Sequence, residues 1–388
     1  MKADVVIVGG GLMGFSTALH LALRGSRCVV LEKDSPGRHA SGVNAGGLRQ
    51  LNRHPAEIPL AVAAAETWHR IRELVDSDCD ARFPGQVRIA ENAADMEKLE
   101  QRAALVKSLG YRHEELIGRD ALYRLVPALA PHCVGGLICR GDGYARPFHA
   151  LTAFRNKACS LGVHYQHSTR VERMEQSGGD WRIQSTRGEF QAPVLVNCAG
   201  AWANAIAAML GEPVPLTPGA PMMMVTERLP HFIDPVVGAA SRKLSFKQMH
   251  NGTLLIGGAY LARLDLQRES TEMNWRKLAV SARTVLALFP QLLDVRIVRT
   301  WAGVEAFMPD HIPVIGPSGT APGLYHAFGF SAHGFQLSPV VGRILAELGA
   351  WPDSIIEARR CFARSAELEP HLPWPWRPVP FPYRSPRG

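Results

Sequence analysis

No C-x-x-C pair occurs in the 388 residues, although seven cysteines are present. They are scattered, at positions 28, 79, 133, 139, 159, 198 and 361. The odd number and wide spacing exclude a disulfide framework and a thiolate-held metal or cluster, so no metal site is expected. Cys28 and Cys198 sit in apolar strands and read as core. No apolar run reaches transmembrane length. No basic stripe with interleaved aromatics is present, which excludes nucleic acid as a partner. Internal repeats are missing, and so is a clear acid/base pair. The chain opens on a strand, so no cleavable leader is expected and the cytoplasm is the default location.

Charge of one sign is in excess. Lys and Arg number 43 against 35 Asp and Glu, a formal net charge of +8. A basic surface suits an anionic substrate, acidic lipid or an acidic partner subunit. The length implies about two domains. A hydrophobic fraction of 46% with 20% charged residues is the balance of a soluble enzyme rather than of a disordered chain.

The most informative segment is the first strand and the turn after it. Residues 4 to 8 read DVVIV, and Gly9-Gly10-Gly11-Leu12-Met13-Gly14 leads into a helical run. This is G-x-G-x-x-G between strand and helix. Gly9 permits the tight turn, Gly11 lets backbone approach a pyrophosphate, and Gly14 lets the helix sit close on the strand. The helix N-terminus offers N–H groups and a positive dipole end to phosphates. A second strand ends in Glu32, 18 residues past Gly14, where a carboxylate accepts the hydroxyl protons of an adenosine ribose. The chain therefore binds a dinucleotide, and the acid favours FAD or NAD over NADP.

Further along, residues 58 to 75 read as helix and residues 91 to 125 as helices on a cap. Short alternating strands fill residues 162 to 196, with a hairpin signal at Gly178-Gly179-Asp180. A proline-rich crossing follows at residues 213 to 221. Strands are expected at 222–225, 253–256, 295–298 and 324–328, with a helix at 274–288 and another that the glycine-punctuated turn 329–338 opens and that ends near 348. Met222, Met223 and Met224 read as core strand. The tail from residue 370 is rich in Pro, Trp and Arg, as an extended or partner-docking segment.

Several segments together resemble one family. They are the nucleotide turn, residues 40–49 (ASGVNAGGLR), residues 196–202 (VNCAGAW), residues 299–303 (RTWAG) with Pro309-Asp310, and residues 329–339 (GFSAHGFQLSP). The chain resembles the D-amino-acid-oxidase-like FAD-dependent oxidoreductases from residue 1 to about 348. It is most similar there to glycine oxidase, sarcosine oxidase and the beta subunits of multi-subunit sarcosine, proline and opine dehydrogenases. The resemblance implies an α/β fold: a discontinuous Rossmann-like FAD-binding domain (1–80, 140–215, 299–365) with a mixed-sheet α+β substrate domain (81–139, 216–298) and a tail (366–388). It implies non-covalent FAD held by Gly9, Gly11, Leu12, Met13, Gly14, Glu32, Lys33, Ser41, Asn44, Ala45, Gly46, Gly47, Leu48, Val171, Ala199, Gly200, Trp202, Gly303, Gly329, His333, Gly334, Phe335, Gln336 and Leu337. The helix opening near Gly334 would lie at the flavin's pyrimidine edge, with its dipole favouring the anionic reduced ring.

The activity implied is oxidation of the C–N bond of an amine or amino acid by hydride transfer to flavin N5, with hydrolysis of the imine. Such chemistry needs no protein base if the amine binds neutral. Departures from the family narrow the substrate. Glu305 stands where glycine-oxidase-like sequences carry a carboxylate-clamping arginine, and Gln336 where sarcosine oxidases carry a lysine. Leu254 and Leu255 stand where an oxygen-activating lysine lies, which favours a dehydrogenase. No cysteine near Trp301 could tether FAD. Pro147 replaces a histidine that carries covalent FMN, leaving a non-covalent FMN at a subunit interface open.

Glu305, His333 and Arg49 are the catalytic candidates. Glu305 pairs either with a cationic substrate group or with a protein arginine such as Arg49 or Arg299. His333 orients substrate or tunes the ring, or is structural. Arg49 and Arg53 are candidates to grip a carboxylate, with Arg242 and Arg263 behind them. Three alternatives stay open: an oxygen-using oxidase, a subunit inactive outside a hetero-oligomer, and an NAD dehydrogenase.

Overall fold

A computed structural model of the chain describes residues 1–350; the segment 366–388 lies outside the described residues. The first strand, β1 (Val5–Val8), is buried along its whole length. It lies between β2 (Cys28–Leu31) and Val194–Asn197, parallel to both. Val8 stands opposite Leu31 and Asn197. The carboxyl ends of three strands therefore converge on Gly9, Glu32 and Cys198, which is where open parallel sheets bind ligands. The sheet has six strands in the order Val314–Pro317, Leu324–Phe328, Val194–Asn197, β1, β2, His164–Gln166. Only the first pair is antiparallel.

Four helices cover one face: α1 (Leu12–Ala22), Ile58–His69, Pro147–Ser160 and Gly334–Ala350. Their core includes the fully buried Phe15, Trp68 and Phe154. The antiparallel strands Val171–Ser177, Asp180–Ser185 and Gly188–Ala192 cover the other face through Trp181, Ile183 and Phe190. The last helix contains Pro339, which cannot donate to the carbonyl four residues back. Ser338 Oγ donates to that carbonyl of Phe335 at 2.9 Å. Residues expected as one helix from 58 to 75 form two. Arg70, at φ −118° and ψ 24°, leaves the helical basin, and Ile71 and Val75 turn into the core.

The second sheet has eight strands. Val236–Ala239 pairs in parallel with Gln86–Ala90, which joins two distant stretches of chain into one layer. The strand expected at 295–298 runs instead from Ile297 to Ala302, pairing Trp301 with Met223. Period-2 alternation sends Val87, Ile89 and Phe246 into this sheet's own core, where Phe246 stacks on Phe289 at 4.7 Å. Gln86, Arg88 and Ser245 take the opposite face, over the carboxyl ends of the first sheet. Met222 and Met224 are core, while Met223 faces the space between the sheets. Among the described residues no helix is long and apolar enough to cross a membrane.

Candidate cofactor and substrate site

The nucleotide turn is built from backbone contacts that only glycine allows. Gly9 has φ +112°, and a Cβ there would lie 2.3 Å from the Cys198 carbonyl oxygen. A Cβ on Gly14 would lie 1.9 Å from the Gly9 carbonyl oxygen, and one on Gly11 would lie 2.9 Å from Ser41 Oγ. The Leu12 N–H donates to Ser41 Oγ at 2.9 Å. Gly11 supplies no side-chain cap, and the first turn of α1 carries no acidic residue. Negative charge at this helix end has to come from a ligand. Glu32 is held by N–H groups of Gly10 and Asp34, both at 2.8 Å. Burial raises its pKa against those two donors.

Lys33 lies 3.9 Å over the Trp202 ring and pairs with Asp34 and, at 2.6 Å, with Glu269. Its ammonium is therefore neutralised by the chain itself. Val171, Ala199, Gly200 and Trp202 line the same cavity as Glu32 and Lys33.

Ser41, Asn44, Ala45 and Gly47 line the same cavity. Asn44 shapes the loop: its Oδ1 accepts the Gly46 N–H at 2.7 Å and its Nδ2 donates to the Ala40 carbonyl at 2.8 Å. Gly46, with φ +67°, packs against the Ala145 carbonyl, where a Cβ would come within 2.0 Å. Gly303 abuts Val43, and Gly329, Gly334 and Phe335 complete the wall. The volume enclosed is about 1010 Å³. Leu48, Gln336 and Leu337 point away from it, into the interior. Gln336 accepts from Arg53 at 2.8 Å and donates to the Ala61 carbonyl at 2.7 Å.

His333 also turns away from the cavity. Its Nδ1 lies 3.1 and 2.9 Å from the two Glu57 oxygens. Burial lowers its pKa to about 4, so a neutral ring donates Nδ1–H to Glu57. Burial opposes ionisation of Glu57, yet the His333 hydrogen bond and the charges of Arg53 and Arg49 hold its pKa below the usual range.

Further charged groups line the cavity, among them Arg49, Arg53, Arg88, Arg242 and Glu305. Glu305 accepts the Ala332 N–H at 3.0 Å and makes no ion pair among the described residues. Burial pushes its pKa up to about 7. Neither Arg49 nor Arg299 pairs with it. Arg49 donates Nη1 to the carbonyls of Leu51 and Asn52, at 2.9 and 3.4 Å. Arg53, which also lines the cavity, is bonded to the Arg49 carbonyl and to Gln336, with Nη1 unpartnered among the described residues. Of the weaker candidates, Arg242 pairs with Glu91, and Arg263 pairs with Glu272 at the exposed surface.

Residues 4–348 match the sequence model of the family described as FAD dependent oxidoreductase. The chain belongs to that family. One of the subunits of opine oxidase from Rhizobium meliloti is 29% identical, over 94% of this chain and 100% of its own length. The HcnC subunit of hydrogen cyanide synthase from Pseudomonas aeruginosa is 26% identical, over 89% and 92%. The crystal structure of L-proline dehydrogenase from P. horikoshii superposes with a TM-score of 0.83 at 26% identity, covering 94% of this chain and 98% of that one.

The residues present fit FAD. Glu32 at one end of the cavity suits a ribose diol, the uncompensated start of α1 suits the pyrophosphate, and the small-residue loop 44–47 leaves room for a flat ring. Two residues of this flavoprotein are not announced by its sequence, Arg88 and Lys247. Lys247 is 1% exposed and donates to the Ala45 carbonyl of the cavity-lining loop 44–47, with its ammonium 4.8 Å from the Tyr144 ring centroid. The available signal is a lone lysine two residues from Ser245, on the same face of a strand.

Desolvation lowers the Lys247 pKa from 10.5 to about 7. The folded apoprotein therefore binds fewer protons than the unfolded chain between those values, and this lysine's burial penalty is relieved as pH rises across them. The stability advantage of Lys247→Met over the parent should shrink by up to about 1.4 kcal/mol per pH unit in that window. Urea melts of both apoproteins at pH 7 and pH 10 check this; a pH-independent difference contradicts it.

Proposed function

We propose that this flavoprotein oxidises the C–N bond of an amine or amino acid carrying a carboxylate, as a dehydrogenase subunit of a larger assembly. Bound FAD supplies the two-electron acceptor. The chain's own residues hold the substrate. The observation that carries the reading is Arg49: Nη1 is tied to two backbone carbonyls, no carboxylate among the described residues pairs with it, and it lines the cavity beside the loop 44–47. A guanidinium fixed in that way is ready to grip a carboxylate bidentately. Arg53, bonded to the Arg49 backbone, and the Glu57–His333 pair behind it keep Arg49 in place. Glu305 takes the substrate's positive group, since an unpaired carboxylate in a buried wall needs one.

Support comes from the relatives: opine oxidase and L-proline dehydrogenase act, by name, on nitrogen-bearing acids, and two relatives are named as subunits. FAD alone enters the proposal. NAD is set aside by the family, and nothing on the described residues calls for FMN.

The test is anaerobic bleaching of the FAD-loaded protein by sarcosine, proline, glycine, D-amino acids and opines. At least one should bleach it, and Arg49→Met should raise the half-bleaching concentration of that amine about 100-fold. No bleaching by any of them would overturn the reading.

A further inference from the structure

Arg88 stands on the strand Gln86–Ala90, on the face that roofs the cavity. Its Nη2 donates to the carbonyls of Ala239 and Ala240, at 2.8 and 3.0 Å, which pins the guanidinium plane. Among the described residues its buried Nε has no hydrogen-bond partner, and Arg88 makes no ion pair. Arg49, which lines the same cavity, is built the same way: one nitrogen is tied to carbonyls, and among the described residues it makes no ion pair. Burial and the Arg49 charge together lower the Arg88 pKa, to about 10.

The carboxylates nearby are already spent. Asp142 accepts the N–H groups of Gln50 and Leu51, at 2.8 and 2.9 Å. Glu114 pairs with both forks of Arg102, at 2.9 and 2.8 Å. The Asp95 carboxylate accepts from the Ser241 hydroxyl and, at 3.2 Å, from the Glu91 N–H. Two guanidinium groups thus line one cavity, each fixed by backbone and neither in an ion pair among the described residues. Charges held in that way are costly unless an anion meets them. One carboxylate on Arg49 leaves Arg88 unmet.

We infer that Arg88 holds a second carboxylate, so that the substrate is an amine dicarboxylate with one carboxylate on each guanidinium. This rests on the reading of Arg49 above and narrows it. Two sources share the chemistry: a secondary amine with a carboxylate on each arm, or an amino acid with an acidic side chain.

The experiment uses FAD-loaded protein and two matched sets. For binding without turnover, thiodiacetate is compared with methylthioacetate by perturbation of the flavin spectrum. For reduction, iminodiacetate and glutamate are compared with sarcosine under anaerobic conditions. Thiodiacetate should bind about 100-fold more tightly than its monocarboxylate, because the site's second guanidinium is left unpaired by the latter. Arg88→Gln should narrow that gap to within about threefold, and Arg88→Lys should keep part of it.

A gap below threefold in the parent protein, or a full gap in Arg88→Gln, overturns the inference. If Arg88→Gln takes up no FAD, the parent gap and its partial retention in Arg88→Lys decide. Preference for iminodiacetate assigns the two-armed amine, and preference for glutamate the acidic side chain. Monocarboxylate bleaching with no dicarboxylate gap sinks this inference alone. A dicarboxylate gap with no bleaching by any amine sinks the proposed oxidation and leaves the Arg88 subsite standing.

Discussion

Gly14→Ala should yield a colourless protein. The added Cβ would lie 1.9 Å from the Gly9 carbonyl oxygen and 3.4 Å from Ile7 Cγ2. The first obstacle is backbone, so no rotamer change relieves it. Helix α1 would have to withdraw from β1 by more than an ångström. It cannot do so freely, because its far side packs on the C-terminal helix, where Gly342 lies against Ser16 so closely that a Cβ would sit 2.2 Å from Ser16 Oγ. Ser16 Oγ also donates to the Ser338 carbonyl at 2.7 Å. Overpacking of this kind costs about 1–3 kcal/mol or more, and here it also displaces the N–H groups meant for the pyrophosphate. Loss of FAD affinity of at least about 100-fold is expected, since 1.4 kcal/mol is a factor of ten. Gly118→Ala is the control, because its Cβ would meet nothing within 4 Å. Fluorescence titration of the apoproteins with FAD reads both. A Gly14→Ala protein that stays yellow with parental affinity removes the pyrophosphate from this turn.

The reason this turn could be read in advance is that its demands are local. Three glycines and Glu32 lie within one strand–helix–strand unit, where Gly14 answers to the Gly9 carbonyl and Glu32 to the Gly10 N–H, and only Gly9 and Gly11 reach beyond it, to Cys198 and Ser41. The same holds for the loop 41–47, where small residues and Asn44 shape their own turn. Arg88 and Lys247 answer to nothing local. Arg88 is pinned by carbonyls more than 150 positions along the chain, through a parallel pairing that no short pattern announces. Lys247 meets Ala45 across 202 positions.

His333 shows the converse limit. Its segment was recognisable, but the direction of the ring was not. Ser331 and Ala332 both take positive φ, 49° and 70°, and this double left-handed step turns the His333 ring to Glu57 while the Ala332 N–H faces Glu305. Gln336 and Leu337 follow the helical period from there into the core, so their neighbours Gly334 and Phe335 meet the cavity instead.

Substitution of Glu305 by Gln should cost cationic amines about 100-fold in bleaching efficiency, and should do so in a pH-dependent way. In the parent, burial holds the carboxyl near pKa 7 against the single Ala332 hydrogen bond. Below that pH the group is neutral and has no attraction for an ammonium or guanidinium; above it a full charge meets the ligand in a poorly hydrated wall, where such a pair is worth far more than in water. Efficiency should therefore rise through about pH 7 in the parent, and this limb should vanish in Glu305→Gln. Stability moves the other way. The folded pKa is raised from 4.5 to about 7, so the folded apoprotein binds more protons than the unfolded chain between those values. Its contribution is complete below the lower value and is lost as pH rises through the upper one. Glu305→Gln apoprotein should lack that decline. The two measurements separate a carboxylate that meets substrate from one that only shapes the Ala332 turn: a structural role would change the urea melts across pH and leave the pH limb of bleaching intact. Glu305→Arg goes further, placing another guanidinium in the cavity, and should abolish bleaching by cationic amines. Equal efficiency with cationic and neutral amines in the parent and both variants would remove Glu305 from substrate recognition.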